Sequence, residues 1–223
     1  PGVRAGTLTP SAARLLGLCE GIPVSAAIID AHAGVVGSGV FGPGTMAMIM
    51  GTSACQMVMT ETPSVFRGYA GLVRDGIVPG FYGYEYGQSA VGDVFAWFVR
   101  SCVTFEYYQE AQREDISIFD LMERKASMAP PGGESDEIVA LDWLNGNRSV
   151  LMDSSLRGVI SGITLSTKPE EIYRALIEAT AFGTRLIIET FRENGVPVHE
   201  IVATGGLPDR NKLLMQIYAD VTG

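Results

Sequence analysis

A chain of 223 residues with 47% hydrophobic content holds enough apolar material for one large domain or two small ones, and its 27 glycines follow no collagen-like period. A formal charge of −9 argues against a duplex DNA or RNA binder, which needs a basic face, but leaves room for an anionic ligand held by backbone N–H groups and a metal ion. Three cysteines without C-x-x-C spacing and only two histidines disfavour a structural zinc site, and no apolar run approaches the roughly 18 residues that span a bilayer, so a reducing cytoplasm is the expected compartment.

In chain order, residues 9–18 predict a short helix capped by Thr9 or Ser11 with Pro10 early in it. Val24–Ile29 reads as an apolar strand that runs out at Asp30, followed by a glycine-punctuated stretch, GVVGSGVFGPG. Thr45–Thr60 is apolar but interrupted by Gly51-Thr52-Ser53, which predicts two strands joined by a tight turn. Met46, Met48, Met50, Met57 and Met59 alternate at strand spacing and are expected in the core. Val78–Tyr86 predicts another strand. From Ser89 the period changes, with Val91, Val94, Phe95, Phe98, Val99 and Cys102 forming one helix face. Glu106–Glu114 reads as a solvated helix face, and a helix over Ile118–Met128 is expected to stop at Pro130-Pro131-Gly132-Gly133. Ile138–Trp143 and Val159–Leu165 predict strands, and Trp97 and Trp143 core aromatics. Lys168–Asn194 predicts the longest helix, with a Thr167/Glu170 capping box, Gly195 and Pro197 as its stop, and an apolar face of Ile172, Ala175, Leu176, Ala179, Phe182, Leu186 and Ile187. Glu200–Thr204 predicts a strand, Gly205-Gly206 a turn and Asn211–Val221 a last helix. Strands followed by alternating helices and strands indicate an α/β fold. The chain starts without Met and stops at Val221-Thr222-Gly223 with a helix barely closed, so it is expected to be part of something longer.

Several residues admit both a chemical and a plain structural reading. Asp30 either caps a helix or turn, or stands as a carboxylate at a strand end where it takes a proton from a substrate hydroxyl. His32, two residues on, touches substrate or makes a structural hydrogen bond. Gly51, Thr52 and Ser53 form either a hairpin turn or a phosphate-facing turn of free N–H groups and hydroxyls; no Walker motif is present. Gly92 serves close helix packing or ligand approach. Gly205 and Gly206 form a tight connection or let a flat base lie against backbone, with Asn211 then able to hydrogen-bond a nucleotide.

The order of these features resembles the second half of the FGGY carbohydrate kinases: an Asp after a strand, Gly-Thr about twenty residues later, a glycine-bearing helix, then Gly-Gly-x-x-x-x-Asn. The stretch Gly158–Ile163 with Glu171-Ile172 and the helix through Glu178 is similar to the family's second signature. IIDAHAG, YEYGQSAVGDVFAWF, ALDWLNGNRS, TKPEEIYRALIEATAFGTR and GGLPDRNKLLMQIYADVTG look like the members that act on L-ribulose in arabinose catabolism. The resemblance implies an actin-like ATPase (ribonuclease H-like) fold of two domains with the active site between them. Residues 1–33 would be the tail of an N-terminal domain and 34–223 an incomplete C-terminal, nucleotide-binding domain. It implies ATP and Mg²⁺ as cofactors and transfer of the γ-phosphoryl group to the C5 hydroxyl. Asp30 matches the catalytic base; Gly51, Thr52 and Ser53 the second phosphate turn; Gly92 a nucleotide-side helix glycine; and Gly205, Gly206 and Asn211 the adenosine site. Ala96 stands where glycerol kinases have a glutamine, so that contact is not carried over. The first phosphate loop and most sugar contacts are expected in the N-terminal domain, the partner of this one. Neither nucleic acid nor membrane is an expected partner, and a homo-oligomer is left open. The rival readings are the same chemistry on xylulose or glycerol, and a non-catalytic actin-like nucleotide-binding module.

Overall fold

A computed structural model describes residues 3–129 and 138–223. Strand β1 (Arg4–Thr7) pairs antiparallel with β2 (Pro23–Ser25), and between them lies α1 (Pro10–Leu16). Thr9 starts α1, its Oγ1 accepting the Ala12 N–H at 3.3 Å, and Gly17 ends it in the left-handed conformation at φ 65°. Helix α2 (Asp30–Gly37) then leads into β3 (Gly44–Met50), β4 (Ala54–Thr60), β5 (Gly71–Arg74) and β6 (Tyr82–Gln88). Helices α3 (Gly92–Cys102), α4 (Phe105–Arg113) and α5 (Ile118–Ser127) follow. A short antiparallel pair, β7 (Val139–Leu141) and β8 (Val159–Ser161), precedes the long α6 (Pro169–Glu193). Strand β9 (Val198–Thr204), the single turn α7 (Gly206–Arg210) and α8 (Lys212–Thr222) complete the order.

The central sheet runs β5-β6-β4-β3-β9, with β9 parallel to β3 and the other pairings antiparallel. Period-two alternation separates its faces. Met46, Val58, Tyr84 and Tyr86 pack against Ile187, Ile188 and Phe191 of α6, while Met48 and Met50 join Leu176 and Leu214 of α6 and α8. Ala47, Met57 and Met59 face the other way, onto Val35 of α2 and Val40. The five methionines are therefore core, as their alternation predicts.

Several sequence expectations need correction. The apolar run 24–29 is not one strand ending at Asp30: β2 stops at Ser25, is exposed, and Asp30 instead opens α2. The first four residues of the glycine-punctuated stretch, 34–37, complete that helix, where Val35 packs on the sheet and Gly34 lets the helix approach it; a Cβ on Gly34 would sit 3.1 Å from Ile49. The 33/34 division thus falls inside one continuous helix. The strand expected at 78–86 lies at 82–88, and β1 and β5 were not anticipated. The strands placed at 138–143 and 159–165 shrink to three residues each. The Thr167/Glu170 capping box is shifted by one: Glu171 accepts the Lys168 N–H at 2.6 Å, while the Thr167 hydroxyl accepts the Thr164 N–H at 2.8 Å. Phe182 and Leu186 leave the buried face of α6, at 55% and 44% exposed, which turns toward Tyr173, Ile177 and Ile188 instead. Trp97 and Trp143 are only half-buried. The Pro130–Gly133 stop lies outside the described residues.

Candidate functional site

The turn between β3 and β4 has an unusual orientation. Its carbonyls point inward: Thr52 accepts the Val91 and Asp93 N–H groups at 2.8 and 3.1 Å, and Gly51 accepts the Gly92 N–H at 3.1 Å. The first N–H groups of α3 are thereby satisfied by the turn rather than left for a ligand. The N–H groups and hydroxyls of Thr52 and Ser53 have no protein partner among the described residues. The turn therefore offers donors outward without a basic side chain, the pattern that holds phosphate oxygens. Gly92 is not a mid-helix glycine but the first residue of α3. A Cβ there would meet the Gly51 oxygen at 2.6 Å, so close packing of helix on turn explains it.

Gly51, Thr52 and Gly92 form one end of a pocket of about 550 Å³, whose other walls include Phe119, Tyr173, Gly206, Leu207 and Asn211. The two glycines of the 205–206 pair differ. Gly205 has φ 109°, and a Cβ on it would collide with the backbone of Met50, so packing on β3 demands it. Gly206 has nothing near a notional Cβ and borders the pocket, so a side chain there would enter the ligand's space. Asn211 caps α8, its Oδ1 accepting the Leu214 N–H at 2.7 Å. Its Nδ2 makes no hydrogen bond within the protein among the described residues, and the residue lines the pocket. Ser53 is in the turn but not in the pocket wall.

Asp30 and His32 lie elsewhere, on α2 against the opposite sheet face. Asp30 is exposed and its Oδ1 accepts the N–H of the next residue, Ala31, at 2.8 Å, a local contact that leaves the second oxygen free among the described residues. His32 is tied into the fold, with Nδ1 3.2 Å from the Gly76 carbonyl and Nε2 3.4 Å from Glu85 Oε2. Cys55 of β4 reveals what surrounds them. Burial pushes its thiol up, Glu85 and Asp30 push the same way, and Arg148 pulls it down. Glu85, His32 and Arg148 form one patch, Glu85 meeting His32 on one oxygen and Arg148 on the other, with Asp30 two residues before His32 on α2. Cys55 follows Thr52 by three residues along the hairpin, about 10 Å at strand rise, so the patch adjoins the phosphate turn.

Glu85 and Arg148 were not singled out from the sequence. A signal was there: Glu85 is the one carboxylate in a strand otherwise of Tyr, Gly and Gln. Arg148 is 63 residues away in sequence, and only the fold brings it within 2.7 Å.

The chain resembles known proteins along its length. Residues 46–223, from β3 to α8 and including every wall of the pocket, match the C-terminal domain of the FGGY family of carbohydrate kinases. The chain belongs to the FGGY family of carbohydrate kinases. Among FGGY relatives, a ribulokinase from Halalkalibacterium halodurans is 54% identical over 99% of this chain and 39% of that protein, and one from Staphylococcus aureus is 43% identical over 99% and 40%. The chain spans about two fifths of the length of the curated relatives it matches. A xylulose kinase structure from Rhodospirillum rubrum superposes with TM-score 0.80 at 26% identity, covering 100% of this chain and 42% of that one. Glycerol kinase from Plasmodium falciparum, solved with ADP, shares the fold at TM-score 0.70 and 20% identity, over 99% of this chain and 41% of that one. The fold is the actin-like ATPase fold of the FGGY kinases. No helix among the described residues is long and apolar enough to cross a membrane.

Proposed function

We propose that this chain is the nucleotide-binding part of an ATP-dependent sugar kinase that phosphorylates L-ribulose on its C5 hydroxyl, as in arabinose catabolism in the cytoplasm. The place of Asp30 on α2, two residues before the His32 that meets Glu85, carries the catalytic reading, and the 54% identity to ribulokinases supports the sugar. ATP would lie in the 550 Å³ pocket, its base against Gly206 and Leu207 and within reach of the Asn211 amide. Its phosphates would meet the outward donors of Thr52 and Ser53, with Gly51 and Gly92 setting the turn and Gly205 fixing the approach of β9. Asp30 would orient the acceptor hydroxyl and take its proton as phosphoryl transfer proceeds, while the fixed donors stabilise phosphate charge. His32 supports the sugar side through Glu85.

A divalent cation fits this arrangement. Among the described residues no group of three or more His, Cys, Asp or Glu gathers as a cage, so Mg²⁺ would be held by phosphates and waters, with the carboxylate of Asp93 on the pocket wall able to receive those waters. The cation supplies neutralisation of phosphate charge when bound. The division into a tail of an N-terminal domain (1–33) and a C-terminal domain (34–223) is part of the same proposal, with α2 as the joining helix. Leu15, Leu16, Leu18 and Ile29 are exposed by 54% or more, as a surface covered by a neighbouring domain would be.

The test is a coupled ADP-release assay on the protein that carries this chain, with L-ribulose, xylulose and glycerol. L-Ribulose should give the highest kcat/KM. A better xylulose or glycerol rate would move the substrate, and ATP binding without sugar-dependent ADP release would leave a non-catalytic module.

A further inference from the structure

Residues 138–161 return across the sheet as a strap. β7 and β8 close its base, and at its tip Asn147 and Asp153 exchange both backbone hydrogen bonds at 2.9 Å, with Asn147 Oδ1 accepting the Leu151 N–H at 2.9 Å. Strand β5 accompanies β6 only from Tyr82 to Glu85. Beyond that point the strap takes over: the Gly87 N–H donates to Ser149 Oγ at 3.2 Å, and Gln88 Nε2 donates to Asp142 Oδ2 at 3.2 Å.

Between these ties Arg148 reaches back to Glu85, Nη2 to Oε1 at 2.7 Å. Its guanidinium lies against Gly87, where a Cβ would be 3.1 Å from Nη1 and 3.2 Å from Cζ. Among the described residues the one other partner of the Glu85 carboxylate is His32, at 3.4 Å on Oε2. A carboxylate offers about four lone-pair sites, so two remain open, and the His32 that meets this carboxylate follows Asp30 by two residues on α2. The short charge-assisted bond fixes the side chain; the long histidine contact does not.

We propose that Arg148 is a positioning residue: carried by the strap, it holds Glu85 at the angle at which its carboxylate accepts hydroxyls of a polyhydroxylated acceptor beside Asp30. This rests on the sugar-kinase reading above and deepens it. The strap and Arg148 make no part of the nucleotide pocket, so their effect falls on the sugar alone.

The test is steady-state kinetics of the protein carrying this chain, varying ketopentose and ATP separately, for wild type, Arg148→Gln, Arg148→Lys and Gly87→Ala, with a thermal melt of each. Losing a charge-assisted bond should raise the sugar KM of Arg148→Gln by about tenfold or more, with the ATP KM within about twofold. Arg148→Lys, which keeps the charge but not the flat fork, should fall between wild type and Arg148→Gln. Gly87→Ala, which displaces the guanidinium without removing it, should shift the sugar KM in the same direction. A sugar KM of Arg148→Gln within about twofold of wild type overturns the proposal while the kinase reading stands. So does a parallel rise of both KM values with a lowered melting temperature. Absence of sugar-dependent ADP release by wild type overturns the kinase reading, and the positioning role with it.

Discussion

The Gly92 N–H donates to the Gly51 carbonyl at 3.1 Å, and a Cβ on Gly92 would stand 2.6 Å from that same oxygen. The start of α3 and the phosphate turn are thus one rigid unit, and no side chain fits between them. Gly92→Ala should separate them, costing about 1–3 kcal/mol of stability and weakening ATP binding along with it. Thermal melts and ATP titration of the variant check this; a variant as stable as wild type with unchanged ATP affinity would mean the turn tolerates movement.

Asp30 has one oxygen on the Ala31 N–H at 2.8 Å, and its side chain has no other partner among the described residues. Asp30→Asn keeps that acceptor and the shape but cannot take a proton. It should lower kcat by about 100-fold or more with little change in ATP affinity. Near-normal kcat at saturating L-ribulose would reduce Asp30 to a structural role at the start of α2.

Gly205 and Gly206 should separate in their effects. Gly206→Val places carbon in the pocket, so it should raise the KM for ATP more than that for sugar while leaving the melting temperature near wild type. Gly205→Ala drives a Cβ into the Met50 backbone at a positive φ and should instead destabilise the fold, by about 1–3 kcal/mol. Unchanged ATP binding of Gly206→Val in calorimetry would remove the base from this wall.

What was legible in the sequence follows from range. The β3–β4 hairpin, α3 and α6 could be read because each carries its own period over many residues, and the Met alternation placed a face correctly. The capping box slipped by one because Thr167 had a nearer partner in the Thr164 N–H, a competition local pattern cannot resolve. The run 24–29 misleads because its apolar residues suggest a strand up to Asp30, whereas β2 stops at Ser25 and Ile28 and Ile29 are exposed in this chain. The turn at Gly51–Ser53 was found as a motif, but which way its N–H groups point is set by Val91, Gly92 and Asp93, some 40 residues on. Arg148 meeting Glu85 had no sequence signature at all, because it depends on the path of the strap.

Asp142 ties the strap to Gln88 and sits buried, where desolvation raises its pKa from 3.8 to about 6 despite the hydrogen bond from Gln88. A carboxyl whose pKa is higher folded than unfolded favours the folded state when protonated. This group's contribution is therefore most favourable below pH 3.8, is lost as pH rises to about 6, and is flat above. The full displacement corresponds to about 3 kcal/mol. Asp142→Asn keeps an oxygen for Gln88 but not the charge. The stability of the variant relative to wild type should rise between about pH 4 and 6 and level off at neutral pH. Denaturant melts across that range give the difference directly; a pH-independent difference would mean the carboxyl is not desolvated in solution.

The 223-residue chain by itself should bind nucleotide weakly and fail to phosphorylate L-ribulose. Phosphoryl transfer needs the nucleotide clamped, water excluded and the acceptor hydroxyl in line. In the proposed arrangement this chain supplies the base, one phosphate turn and the base pocket, and it spans only 39% of its ribulokinase relative from Halalkalibacterium halodurans. A second phosphate loop and further sugar contacts are expected from the rest of such a protein. Each missing interaction removes on the order of 2–4 kcal/mol of transition-state stabilisation, and several are missing together. Binding of ATP or ADP through the Thr52 turn, Gly206 and Asn211 alone should lie near millimolar, about −4 kcal/mol. The exposed leucines of α1, Leu15 at 86% and Leu16 at 59%, should also promote self-association. A coupled assay of the purified chain with ATP, Mg²⁺ and L-ribulose, beside the protein that carries it, decides the matter. Sugar-dependent ADP release within about tenfold of that protein, a gap of about 1.4 kcal/mol, would show that the residues here suffice for catalysis.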